Sequence, residues 1–317
     1  MKLKLSFCLF IIFASIFLSY SYFDKVKNKK IVFKDTYLVL KKNDNQKDII
    51  KKLRAKNIHI QYFDWRLISF SHQDKLLLKA GEYLIPKDFS LFEIQNMFQT
   101  GKTITRSFTL IEGSSAINLR MKLLSNKYLS GEIPTLMEGI YKPDTYHFKY
   151  GYSRVKLLNR MKKAQDISIN KVWKNKPKDF ILRNKRELLI LASIIQREAK
   201  SFEDSRLVAS VFINRLRKKM KLQSDVTLAF GLNINGKYIT KKMLKSSHPF
   251  NTYFHTGLPP TPISYPGKNA LNALKNVKNT NYFYFVADGK GGHRFSETYD
   301  LHKQNINLWK KSKMKDQ

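Results

Sequence analysis

Glu198 is the residue whose type and position most invite chemistry. It lies near the end of residues 187–200 (ELLILASIIQREAK), where Leu191, Ile194, Ile195 and Glu198 recur at i, i+3, i+4 and i+7 and so share one face of a helix. A carboxyl at the edge of an apolar stripe is partly desolvated, which raises its pKa toward the range where it donates a proton near neutrality. The spacing makes Glu198 a candidate general acid. It equally allows the side chain, in the last turn, to bend out to water.

A second signal is the run 248–267 (HPFNTYFHTGLPPTPISYPG), which carries Pro249, Pro259, Pro260, Pro262 and Pro266. So many fixed φ angles exclude a helix or a central strand, and an ordered loop of that length is uncommon unless it builds a site. The amide and hydroxyls of Asn251, Thr252 and Tyr253 are groups that sugar recognition would use. The alternative is a proline-rich wrap that holds helices together.

The elements around these residues follow from periodicity and punctuation. Ser201 with Asp204 resembles a capping box opening a helix over 203–219, with Val208, Val211, Phe212 and Leu216 inside. Glu198 would then sit at the corner of two helices, facing 222–227 (LQSDVT) and the later loops. Helices are predicted at 155–167 and 177–184, and a rigid Gly- and Pro-containing loop at 138–146 (EGIYKPDTY). An apolar strand at 282–287 (YFYFVA) leads into the Gly-rich turn 288–293 (DGKGGH), which lacks the Walker A pattern of a phosphate cradle. His248, His255, His293 and His302 lack metal-ligand spacing with neighbouring Cys or carboxylates. They read as structural, and neither a metal nor a cofactor is expected.

Toward the N-terminus, a strand at 36–40 is followed by Asp44 and Asn45 as N-cap for a helix over 48–56. A second helix is predicted over 63–78, a strand over 81–86, a third helix over 90–99 with Gly101 as its stop, and a strand over 103–111. The fold class is α+β: a small module over 24–104 with no catalytic cluster, then a larger domain over 105–317. Residues 5–23 carry no charge and are about long enough to cross a hydrocarbon core as a helix of roughly 20 residues. No small-x-small cleavage pattern follows, and Tyr20, Tyr22 and Phe23 resemble an interfacial aromatic belt. Residues 1–23 are therefore read as an uncleaved transmembrane anchor, although lysines at both ends leave its orientation open. The single Cys8 excludes a disulfide within the chain.

Lys and Arg number 59 against 24 Asp and Glu, a net charge of +35, which favours a polyanionic partner surface. Because lysine is spread over the whole chain, composition bias accounts for much of this. Zinc-finger spacing, an RNP-like signature and a basic region with heptads are all absent, so nucleic acid is not an expected partner.

Several blocks in order resemble the endolytic murein transglycosylases, the MltG or YceG-like family. They are Glu138-Gly139 with Pro143-Asp144-Thr145-Tyr146, Leu191 to Ile195 up to Glu198, Val211 to Leu216, Leu222-Gln223-Ser224-Asp225, Asn251-Thr252-Tyr253, Gly257 to Pro260 with Pro262-Ile263, and Phe285 to Gly289 with Gly292-His293. The likeness runs over residues 34–303. It implies a single-pass plasma (inner) membrane protein with a LysM-like module and an extracytoplasmic catalytic domain that cuts nascent peptidoglycan glycan strands, with peptidoglycan synthases as possible partners. It also places the catalytic glutamate at Glu198. Where many relatives carry an acidic residue and a proline, this chain has Gln196 and Val226, so no other carboxylate remains in the Glu198 turn.

The chemistry implied is a lytic one. One carboxyl protonates the oxygen between N-acetylmuramic acid and N-acetylglucosamine, then takes the proton from the muramic 6-hydroxyl as that oxygen closes on C1. Gln223, Ser224, Asn251, Thr252 and Tyr253 would orient the sugar, and Asp225 would steady positive charge or serve as a local cap. A hydrolase using Asp225 or Asp288 to activate water, and a non-catalytic envelope scaffold that recruits wall-synthesis enzymes, are the rival readings.

Overall fold

The computed structural model describes residues 2–72, 77–234 and 239–315. The uncharged N-terminal run lies in helix α1 (Lys2–Asn28), of which Ser6–Asn28 is long and apolar enough to cross a membrane. The chain divides into two compact units: one runs to Ser107 and includes His147–Tyr152, the other holds Phe108–Tyr146 and the chain from Ser153 on.

In the first unit, β1 (Thr36–Leu40) leads to α2 (Gln46–Arg54) and α3 (Tyr62–Ser69), and β2 (Gly81–Ile85) returns antiparallel to β1 before α4 (Leu91–Thr100). Asn45 caps α2 in a reciprocal box with Asp48, and Ser90 does the same for α4 with Glu93. Gly101 ends α4 at φ 73°, a left-handed conformation suited to glycine. Leu38, Ile49, Leu53, Trp65, Ile68, Tyr83, Ile94 and Phe98 form the core, with Phe23 and Val26 of α1 packed against it. The helix predicted over 63–78 is shorter than expected, and 73–76 lie outside the described residues. It stops at Ser69, past which Ser71 donates both its amide and its hydroxyl to the Ile68 carbonyl that a continued helix would have used.

β3 (Thr105–Thr109) precedes α5 (Ala116–Ser125), β4 (Leu129–Ser130), β5 (Thr145–Lys149) and β6 (Tyr152–Ser153); β3 pairs with β5, and β4 with β6. The second unit continues with α6 (Arg154–Lys174), α7 (Lys185–Glu198), α8 (Phe202–Arg217), α9 (Asp225–Gly231), α10 (Lys241–Leu244), α11 (Lys268–Lys275), the antiparallel hairpin β7 (Tyr284–Ala287) and β8 (His293–Ser296), and α12 (Tyr299–Lys315). No helix forms over 177–184. There the Asn184 side chain caps α7 by accepting the Glu187 amide, and Glu187 in turn accepts the Arg183 amide, so the polar run serves the start of the next helix.

α7 is the axis of this unit. Leu188 to Ile195 are all buried, as expected of a helix apolar on every side, and it packs against α6, α8, α9 and α11. The proline-rich run is irregular as predicted, and it is tied along α7: the Ile263 amide donates to Ser193 Oγ at 3.0 Å, Ser264 Oγ to the Ser193 carbonyl at 3.0 Å, and the Gly267 amide to Gln196 Oε1 at 2.9 Å. Gly139 sits at φ 80°, and a Cβ there would lie 2.7 Å from Pro262, so the loop over 138–146 closes onto the same face.

Candidate active site

Glu198 is the last helical residue of α7, and Leu191, Ile194 and Ile195 on its stripe are fully buried. The side chain does not bend out to bulk water. Its residue surface is partly accessible to a cavity, but protein crowds the carboxyl, and Oε1 accepts a hydrogen bond from Ser224 Oγ at 2.5 Å. Burial raises the Glu198 pKa above the usual carboxylate range; the Ser224 hydroxyl and the charge of His293 pull it back, while the negative charge of Asp225 pushes it up. Desolvation wins, so the protonated form persists above the usual carboxylate range.

Ser224 is held from both sides. Its amide donates to Thr252 Oγ1 at 3.0 Å and its carbonyl accepts from Thr227 Oγ1 at 2.8 Å, while the Thr227 and Thr252 hydroxyls share a bond of 2.9 Å. The Gln223 amide donates to the Thr252 carbonyl, and Gln223 itself stands at φ 51°, an uncommon conformation for a residue with a side chain. Although Ser224 precedes α9, its side chain makes no cap bond and serves Glu198 instead. That exchange leaves a helix end less well capped in favour of an oriented carboxyl.

Of the other expected sugar contacts, the structure brings Gln223, Asp225 and Tyr253 to the cavity and keeps Asn251 and Thr252 away from it. Asn251 is fully buried, with Nδ2 donating to the carbonyls of Leu244 (3.0 Å) and Ser246 (2.6 Å) and Oδ1 accepting the Tyr253 amide. Thr252 is spent on Ser224. Both shape the loop that presents Tyr253, whose hydroxyl donates to Asp225 Oδ1 at 2.7 Å. Burial, then Asp225, pushes the Tyr253 pKa well above its ordinary value, so it remains a neutral donor.

Two further groups were not singled out from the sequence. Arg215 lies on the buried stripe of α8, three residues after Phe212, and its guanidinium donates to the carbonyls of Phe283 (2.7 Å) and Leu222 (2.7 Å) and to Gln223 Oε1 (3.3 Å). A cation on an apolar stripe is the same signal that marked Glu198. His293, read as structural, is instead electrostatically coupled to Glu198. Its Nδ1 donates to Asp204 Oδ2 at 2.7 Å, since a carboxylate only accepts. Burial lowers the His293 pKa, but the Asp204 bond and the charges of Asp204, Glu198 and Asp288 outweigh it, and the net shift is upward. Asp204 was expected to complete a capping box with Ser201. Only the Ser201 half forms, because the Asp204 carboxylate is turned to His293.

These groups meet in a cavity of about 350 Å³ lined by Glu198, Arg215, Gln223, Asp225 and Tyr253, with Tyr284, Phe285, Tyr299, His302 and Ile306 as an aromatic and apolar wall. The Tyr284 and His302 rings stack at 5.2 Å. Flat aromatic faces beside an acid and several donors suit a pyranose ring. Asp288 is not in this lining; it accepts the Lys290 and Gly292 amides and fixes the β7–β8 turn. Two larger cavities, about 740 and 920 Å³, lie elsewhere in the same unit and do not contain Glu198. The larger size does not outweigh the chemistry, because neither combines a desolvated acid with a hydroxyl bonded to it.

The model of the YceG-like family matches residues 38–308. The chain belongs to the YceG-like family. It is similar to the endolytic murein transglycosylase of Bacillus subtilis, at 32% identity over 182 residues, covering 56% of this chain and 49% of that protein. It is also similar to the endolytic murein transglycosylase of Streptococcus pneumoniae, at 29% identity over 177 residues, covering 54% of this chain and 32% of that protein. The chain thus spans half or less of the length of these curated relatives. A crystal structure of a yceG-like protein from Listeria monocytogenes superposes with a TM-score of 0.58 at 26% identity, covering 86% of this chain and 98% of that one.

Proposed function

We propose that this protein is an endolytic lytic transglycosylase of peptidoglycan, with Glu198 as its one acid and base. The observation that carries the reading is the Glu198 carboxyl, desolvated at the end of α7, bonded to Ser224 and opening onto an aromatic-walled cavity. Protonated Glu198 delivers its proton to the glycosidic oxygen between N-acetylmuramic acid and N-acetylglucosamine. The C1–O bond breaks with oxocarbenium-like charge at C1. The carboxylate then removes the proton of the muramic 6-hydroxyl, whose oxygen bonds to C1 and leaves a 1,6-anhydro end.

A glycosidase that uses water commonly needs a second carboxylate as nucleophile or base. Here the nucleophile belongs to the substrate, and well-oriented intramolecular attack can reach effective molarities of ~10⁵ M or more. Asp225, bonded to Tyr253, faces the same cavity and would stabilise positive charge at C1, while Gln223 and Tyr253 orient the sugar. The same placement supports one rival, a hydrolase in which Asp225 activates water. Mass spectrometry of the products separates them: hydrolysis yields reducing ends, and the lytic reaction yields ends lighter by one water.

The family membership and α1 support the wider reading. α1 anchors the chain in the plasma (inner) membrane with the second unit extracytoplasmic, the first unit is a LysM-like module, and the substrate is nascent glycan made by neighbouring synthases. Protease protection of the second unit in intact cells tests the orientation, with digestion from outside expected once the wall is removed.

A further inference from the structure

The core of the first unit meets α1 where its uncharged run ends. Residues 6–22 are exposed along α1 apart from a partly covered Ala14, whereas Phe23, Val26 and Lys27 are partly buried and Phe23 and Val26 pack on the unit's core. At about 1.5 Å per residue, the uncharged run 5–23 rises roughly 28 Å, close to a hydrocarbon core of about 30 Å. Tyr22 and Phe23 therefore stand at the edge of that core.

Contacts along α1 rank the unit's elements by height above this edge. Tyr22 donates its hydroxyl to Asp64 Oδ1 at 2.7 Å and its ring lies 6.3 Å from that of Phe63, both in the first turn of α3. Lys27 lies over the Phe92 ring of α4 at 4.9 Å, and Lys30 pairs with Glu93 at 3.0 Å. From Tyr22 to Lys27 the helix rises roughly 7–8 Å, so α3 is the lower of the two. On α3, Trp65 and Ile68 turn into the core, and Phe63, Arg66 and the C-cap residue Phe70 recur at i, i+3 and i+7 on the outer face, with the two phenylalanines 65% and 76% exposed. The Arg66 guanidinium lies over the Phe70 ring at 5.5 Å. Lys25 and Lys29 are exposed just above the edge.

We infer that this α3 face is a membrane seat: Phe63 and Phe70 enter the boundary between headgroups and acyl chains of the bilayer that α1 crosses, while Arg66 and the nearby lysines meet lipid phosphates. Large aromatics with a cation beside them are the composition of interfacial helices, and lysine or arginine near an anionic lipid surface is drawn to its phosphates. The first unit then lies on the membrane rather than standing off it. The inference rests on the anchor reading of α1.

The test uses the full chain in vesicles of phosphatidylcholine with phosphatidylglycerol. Two variants, Cys8→Ser with Phe70→Cys and Cys8→Ser with Lys87→Cys, carry an environment-sensitive fluorophore, and quenching by lipids labelled high on the acyl chain is measured. Residue 87 is exposed and adjoins Asp88, whose neighbour Phe89 accepts at its carbonyl the amide of Ile31, which follows the end of α1. Most of the fluorescence at residue 70 should be lost and that at residue 87 retained. Protection of Cys8 in the unsubstituted chain from a water-soluble thiol reagent reports insertion of α1 separately. Protected Cys8 with equal, weak quenching at both positions overturns the seat alone; reactive Cys8 overturns the anchor reading and the seat with it.

Discussion

Replacing Ser224 by alanine isolates the one hydrogen bond that tunes the proposed acid. Ser224 is 2% exposed and its hydroxyl meets the Glu198 carboxyl at 2.5 Å, so no bulk water stands ready to replace it. A hydrogen bond to a charged group contributes about 1.5–3 kcal/mol, and this one favours the carboxylate, so losing it should raise the Glu198 pKa further. The sign follows from which form the bond favours: Ser224 donates to the carboxylate and lowers the pKa, and its removal reinforces the upward push of burial. If protonated Glu198 starts the reaction, the alkaline limb of the pH–rate profile moves upward. The assay is release of anhydro-ended glycan from uncrosslinked peptidoglycan across a pH series, with thermal unfolding run beside it. The main-chain amide and carbonyl of Ser224 keep their threonine partners, so the fold should survive. A limb that stays in place or moves downward in a folded variant refutes the assignment of Glu198 as the titrating acid.

His293→Gln removes the cation that lowers the Glu198 pKa, so its alkaline limb should also move up, with Asp204→Asn shifting it in the same direction by less; profiles identical to wild type would mean the pair acts only in the fold. Asn251→Ala should destabilise the fold by about 2–3 kcal/mol through its orphaned buried carbonyls, whereas Tyr253→Phe should leave the melting temperature nearly unchanged and slow turnover by about tenfold; the reverse ranking would place Asn251 on the substrate. Burial raises Glu138 from 4.5 to about 7, so its stabilising protonation is complete below pH 4.5 and lost as pH rises through about 7. Glu138→Gln should therefore flatten the decline of melting temperature over that window, removing on the order of 3 kcal/mol of pH dependence, and an unchanged slope contradicts the shift.

The parts of the site legible in the sequence were those with a periodic or steric signature. Leu191, Ile194 and Ile195 placed Glu198 on a buried stripe, and five prolines marked the loop that α7 holds. Whether a short polar residue faces a ligand or the loop's own carbonyls has no such signature, so the sequence alone groups Asn251 and Thr252 with Tyr253. Asp204 satisfied the spacing of a cap, yet its partner His293 is far along the chain, and only tertiary packing decides between a local amide and a distant imidazole. The cavity's second wall, from α12, was not foreseen. Its signs were Thr298 accepting the Leu301 amide as a cap and His302, Ile306 and Trp309 recurring at helical spacing. The false helix over 177–184 arose from polar residues that belong to the start of α7.

The most direct measurement compares the purified full chain with its Glu198→Gln variant on uncrosslinked peptidoglycan, followed by mass spectrometry of the released glycans. The account predicts internal cuts ending in 1,6-anhydro-N-acetylmuramic acid for the unsubstituted chain and uncut strands for the variant, whose neutral amide suits the same buried position. Reducing ends from the unsubstituted chain, or anhydro ends from the variant, would contradict it.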